Sequence, residues 1–204
     1  MTRISTFARV LALGVGALCV PHAVHAQTSD WPCQQRLMPT LEPGQMWSGP
    51  PVDAAPTVPP AEVSALTQEL TALHQSPEAL ATAVQAFADG LPADQKSARL
   101  SMLFAVALQR LNGERATLIN GIKRYARGQQ RMAEKISAES RALDALRKES
   151  GTPPERIADL QAERDWDARV FTERQHSLQL VCEQPVLLEQ RAFALARLSQ
   201  DKLP

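Results

Sequence analysis

Residues 104–146 read FAVALQRLNGERATLINGIKRYARGQQRMAEKISAESRALDAL, and the fold turns on how they are read. Alternating steps of four and three pick out Phe104, Leu108, Leu111, Arg115, Leu118, Ile122, Tyr125, Gln129, Met132, Ile136, Glu139, Leu143 and Leu146. Ten of these thirteen are apolar, a coiled-coil stripe kept for six heptads and longer than chance supplies. As one helix the stretch makes a rod roughly 60 to 65 Å long. A helix with one apolar edge needs a partner to cover it.

The partner follows in the same chain. In Ser150-Gly151-Thr152-Pro153-Pro154-Glu155 the glycine ends one helix, Thr152 caps the next and Glu155 completes a capping box. So short a connection between two long helical patterns predicts an antiparallel hairpin, with a long helix over 93–150 and a return helix over 153–200. The return arm carries Ile157, Leu160, Phe171, Leu178, Val181, Leu188, Ala192 and Leu195. Pro185 should kink this arm or restart it as a separate helix. With Thr152 as the pivot, facing residue numbers sum to about 304. That register sets Cys182 beside Ile122, Leu198 beside Val106, Arg131 opposite Glu173 and Arg141 opposite Glu163. Asn112-Gly113, Asn120-Gly121 and Gly128 weaken the long helix, each glycine by about 1 kcal/mol relative to alanine, and allow a bend or break near Gly113. Arg164 and Asp167 make the middle of the return arm polar, so a second hairpin filling that seam, a homodimer, stays open.

The chain opens with Arg3 and Arg9, an apolar run over 10–20, Pro21, and Val24-His25-Ala26. A basic head, a short apolar middle and small residues before Gln27 describe a secretory signal peptide over 1–26, cleaved after Ala26. The run is too short for a bilayer, which takes about 20 residues, and Leu18 before Cys19 does not suit a lipid-modified cysteine. The longest later apolar run, 102–108, is shorter still, so the mature chain is expected to be soluble, without a transmembrane segment. Loss of Arg3 and Arg9 leaves 20 basic against 22 acidic residues, a net charge of −2. That balance does not steer the protein toward nucleic acid.

Two cysteines remain after processing, Cys33 and Cys182, and export places them where disulfides persist. A bridge between them would close a loop of about 150 residues, with a chain-entropy value near 5 kcal/mol as an upper figure. Two unpaired thiols are the alternative; a redox or metal pair has neither a C-x-x-C spacing nor a nearby histidine to support it.

Residues 27–60 hold eight prolines with Gly44 and Gly49, which forbids a long helix and leaves extended or turn conformations. Trp31, Leu37, Met38, Leu41, Met46 and Trp47 are nonetheless too apolar for a free linker. The segment reads as a strap laid on the helices. Its tryptophans, Trp31 and Trp47, either cover grooves or make apolar contact with a ligand, and 50–60 reads as a mobile connector. Short helices follow over 61–75, with Val63, Leu66, Leu70 and Leu73, and over 77–89, where Ser76 caps and Pro77 takes the first helical position. From Leu100 to Leu111 apolar residues run nearly all the way round, marking the base where the short helices pack.

The segments Trp31-Pro32-Cys33-Gln34-Gln35-Arg36, Gly44-Gln45-Met46-Trp47-Ser48-Gly49-Pro50-Pro51 and Val181-Cys182-Glu183-Gln184-Pro185-Val186-Leu187-Leu188-Glu189-Gln190-Arg191-Ala192-Phe193-Ala194-Leu195-Ala196-Arg197 resemble a family of uncharacterised exported bacterial proteins. The resemblance covers most of the mature chain and both cysteines. It implies a bacterial, periplasmic setting and brings no activity, substrate or site residue.

Lys123, Arg127, Arg131 and Lys135 stand four apart with Arg124 beside them. They form a patch for an anionic partner such as a phospholipid surface, a cell-wall polymer or an acidic protein, or else they pair across the hairpin. His74 and His176 sit in separate elements with no second ligand at helical spacing, so no metal or haem site is expected. Glu163, Asp165 and Asp167 alternate around a helix and are not expected to converge. No G-x-S-x-G, H-E-x-x-H, phosphate-binding glycine loop or C-x-x-C-H occurs, and a hairpin offers few concave pockets. The expectation is an all-α, non-enzymatic periplasmic interaction or scaffold protein without cofactor, engaging another envelope protein. The alternative is a chaperone-like or small-ligand-binding protein using apolar surface around Met102, Phe104 and the strap tryptophans.

Overall fold

A computed structural model describes residues 30–204; the expected signal peptide and its cleavage point lie outside the described residues. After a 3-10 turn at Pro43–Gln45, four helices follow: α1 at Ala61–Thr71, α2 at Pro77–Asp89, α3 at Ala93–Lys148 and α4 at Pro154–Gln200. No strand occurs among the described residues. The fold is all-α, with α3 and α4 packed as an antiparallel hairpin. At 56 residues, α3 is about 84 Å long. All thirteen seam positions between Phe104 and Leu146 are buried or half-buried, so the stripe is the face that meets α4.

The base forms where α3 is apolar all round. Val63 and Leu70 of α1 and Leu80 and Val84 of α2 share one core with Leu103, Phe104, Ala107 and Leu111 of α3 and Leu188, Ala192 and Leu195 of α4. α2 begins as expected, its Ala79 N–H donating to the Ser76 hydroxyl at 3.2 Å. α1 ends at Thr71, four residues before the expected 75, because Ala72 turns to extended backbone. The chain must be extended again at Ser76, ahead of Pro77, and the intervening turn leaves Leu73 partly exposed.

Two local expectations are corrected at the hairpin turn. Thr152 does not cap α4: its hydroxyl donates backward to the Glu149 carbonyl at 3.1 Å, and Pro153 takes the N-cap without a side-chain bond. Gly151 adopts φ +90°, a left-handed conformation that glycine takes without steric cost, so the chain reverses one to three residues before Thr152. The register shifts with it. Along Tyr125, Gln129 and Lys135, the numbers of bonded partners sum to between 298 and 302. Cys182 still shares a cluster with Ile122 and Leu198 still packs on the core holding Val106. The expected Arg131–Glu173 and Arg141–Glu163 pairs are not among the ion pairs of the described residues.

α3 runs unbroken through Gly113, Gly121 and Gly128. Nothing lies within 4 Å of a Cβ built on Gly113, so Gly113→Ala should stabilise the protein by roughly 0.5–1 kcal/mol. The check is a urea titration, in which an unchanged or lower midpoint contradicts the expectation. α4 likewise continues through Pro185 rather than restarting. The ring removes the donor to the Val181 carbonyl, and side chains from elsewhere serve its neighbours. Gln35 Nε2 donates to the Cys182 carbonyl and Arg115 Nη1 to that of Pro185.

The strap runs beside α4 in the same direction. It is bridged to Cys182 through Cys33, bonded from Met38 O to Arg115 Nη2 at 2.8 Å, and held at Ser48 N by Gln200 Oε1 at 2.6 Å. An extended segment leaves backbone donors and acceptors without ladder partners, and buried groups of this kind must be paired. Amide side chains of the helices do so here. Asn112 accepts from Leu41 N and donates to Leu41 O, both at 2.9 Å, while Gln200 Nε2 donates to Met46 O at 3.1 Å. Val52 and Ala55 also pack on the core, so the expected mobile connector over 50–60 is anchored at these two points, while Val58 stays 85 % exposed. Leu41 is fully buried, and Asn112→Ala strands both of its backbone groups. We expect a loss of about 2 kcal/mol, with Asn112→Asp, which keeps the acceptor alone, losing about half as much; equal stability of all three proteins in urea would contradict this.

Candidate functional site

The five cations of the basic stripe separate into two groups. Arg127 Nη1 pairs with Asp30 Oδ2 of the strap at 2.8 Å. Lys135 Nζ lies 2.7 Å from Asp167 Oδ2, 2.9 Å from Glu163 Oε1 and 3.2 Å from Glu139 Oε1. Lys123, Arg124 and Arg131 pair with no carboxylate among the described residues, and form a short cationic strip on the arm.

Glu163 and Asp167, expected to diverge, converge with Glu139 because four residues span about one helical turn; Asp165, two residues from each and so on the opposite side of the helix, pairs with Arg164 at 2.5 Å. Each of the three can bring a carboxylate oxygen within 4.8 Å of the others, a donor set suited to a hard cation. The Lys135 ammonium sits among them instead. Its bonds to Asp167, Glu163 and Glu139, in that order, raise its pKa above the ordinary lysine value, on a side chain that remains half exposed. Gln129 completes the seam by donating to Phe171 O at 3.2 Å. The polar middle of the return arm thus finds partners within the chain.

Both tryptophans of the strap are half-buried and packed within the chain. Trp47 stacks on buried Phe104, ring centroids 4.7 Å apart and planes 7° apart, and donates Nε1–H to Pro50 O at 2.7 Å. Trp31 packs on Ile122, Leu178 and Cys182 and donates Nε1–H to Gln35 O at 2.8 Å. Phe104, the centre of the expected apolar ligand surface, is buried beneath Trp47.

Most of the exposed large apolar side chains among the described residues lie elsewhere, on α4. Trp166 is 60 % exposed, Leu180 66 % and Leu187 41 %. Their spacings are multiples of seven, so they share one helical face, with Arg169 over the Trp166 ring at 5.3 Å from its centroid. Pattern reading passed over these residues because they fall outside the stripe that meets α3, and the heptad position between Trp166 and Leu180 is the exposed Glu173. No helix of the described residues is long and apolar enough to cross a membrane. Comparison with known proteins finds no matching family model, no matching curated protein and no matching solved structure.

Proposed function

We propose that this is a non-enzymatic helical interaction or scaffold protein of the bacterial envelope, exported to the periplasm, whose arm presents a docking face to another envelope protein. The observation that carries the proposal is the outward row of Trp166, Leu180 and Leu187, large apolar side chains left in solvent on a helix whose other face is buried. Tryptophan is enriched among residues that dominate binding energy, and an exposed apolar row on a rigid element marks a contact surface. The unpaired strip of Lys123, Arg124 and Arg131 adds charge for an acidic partner.

A photo-crosslinking residue at position 166 or 180 in living cells should yield one discrete adduct with an envelope protein, absent when the same group sits at position 109 in the base. Failure to crosslink from either arm position, with the chain exported and folded, would sink the proposal.

A further inference from the structure

Residues 31–36 and 181–197 lie about 150 residues apart and are brought side by side where the strap runs along α4. Between them runs a groove of about 680 Å³, within the size range of small-molecule sites. Met38 of the strap and Val186 and Phe193 of α4 supply its apolar wall, and Phe193 is 38 % exposed. Val186 and Arg197 are eleven residues apart on one helix, about 16 Å, so the groove is elongated.

Its charge is one-sided. Arg36 and Arg197 line it, and neither meets a carboxylate among the described residues. The one acid on the wall, Glu189, lies 3.8 Å from the buried Arg115, which offsets its charge from behind. Guanidinium groups bind carboxylate and phosphate oxygens in bidentate fashion, while their stems add apolar cover. An anion with an elongated apolar body therefore meets both requirements; a cation of the same shape meets only one.

We propose that this groove binds a single-chain anionic amphiphile, its acyl chain along Met38, Val186 and Phe193 and its head group on Arg36 or Arg197. This stands apart from the docking face on the arm, and either can fail without the other. The test is calorimetric titration of the whole protein with dodecanoate below its micelle concentration, alongside dodecyl phosphate and dodecyltrimethylammonium. Dodecanoate should bind at one site at least tenfold more tightly than the cation. Arg36→Ala/Arg197→Ala should weaken it at least tenfold with the helical circular-dichroism spectrum unchanged, and Phe193→Ser should weaken it as well. Comparable binding of dodecyl phosphate would place the recognition in the anionic head in general, whereas its exclusion would restrict the site to carboxylates. No dodecanoate binding, equal binding of the cation, or loss of binding in Lys123→Ala/Arg124→Ala instead of the groove variant would overturn the assignment.

Discussion

Replacing Arg115 by alanine is expected to lower the stability of the protein by about 3–5 kcal/mol, the largest effect of any single substitution considered. The side chain stands at a seam position with 2 % of its surface exposed. It joins three elements: α3 carries it, its Nη1 donates to the Pro185 carbonyl of α4, and its Nη2 donates to the Met38 carbonyl of the strap at 2.8 Å. Burial pulls the pKa of the guanidinium below its ordinary value, and Glu189 at 3.8 Å pulls it back. Truncation leaves the Met38 carbonyl without its donor, leaves Glu189 unbalanced and opens a cavity in the seam. Arg115→Lys retains the charge but offers no planar fork to span two carbonyls, so about half the loss should remain. Urea denaturation followed by circular dichroism measures both, and a midpoint for Arg115→Ala within error of the parent would refute the role.

Removing the disulfide should cost about as much through a different route. Cys33 and Cys182 are bridged across 149 residues, and opening so long a loop frees the unfolded chain by up to about 5 kcal/mol. For the Cys33→Ser/Cys182→Ser protein we expect a loss of about 3–5 kcal/mol. Hydrogen exchange separates this global effect from local release. Residues 31–36, held by the bridge, Gln35 and the packing of Trp31, should exchange faster, while 41–48 stay protected by Asn112 and Gln200. Identical midpoints for oxidised and reduced protein would show that the bridge does not constrain the chain as described.

The hairpin was legible because period is a local property: the seam from Phe104 to Leu146 could be counted, and none of its thirteen members is exposed. Its three polar members looked like flaws. Arg115, Gln129 and Glu139 are instead buried with partners, and those of Arg115 and Gln129 lie 42 to 77 residues away, a separation no window along the chain spans. Asn112 suffered the same way, since a residue that weakens a helix by propensity clamps Leu41 once the strap is in place. The misread pivot at Thr152 shows how narrowly ion pairs depend on register. A shift of a few residues moves Glu163 from Arg141 to Lys135, while Ile122 and Cys182, which need only share a cluster, stay together as expected. The candidate site was less visible, because Trp166 and Phe193 acquire meaning only when the buried side of α4 is known.

The distance between the two cysteines has a temporal side. A growing polypeptide emerges amino end first, at roughly 5–20 residues per second, so the earlier thiol waits about 8 to 30 s before the later one is even synthesised. Asn112, Arg115 and Gln200 also appear after the segment they hold. The strap is therefore the first part of the described chain to be made, and its full set of anchors exists only once almost all of the sequence has been synthesised.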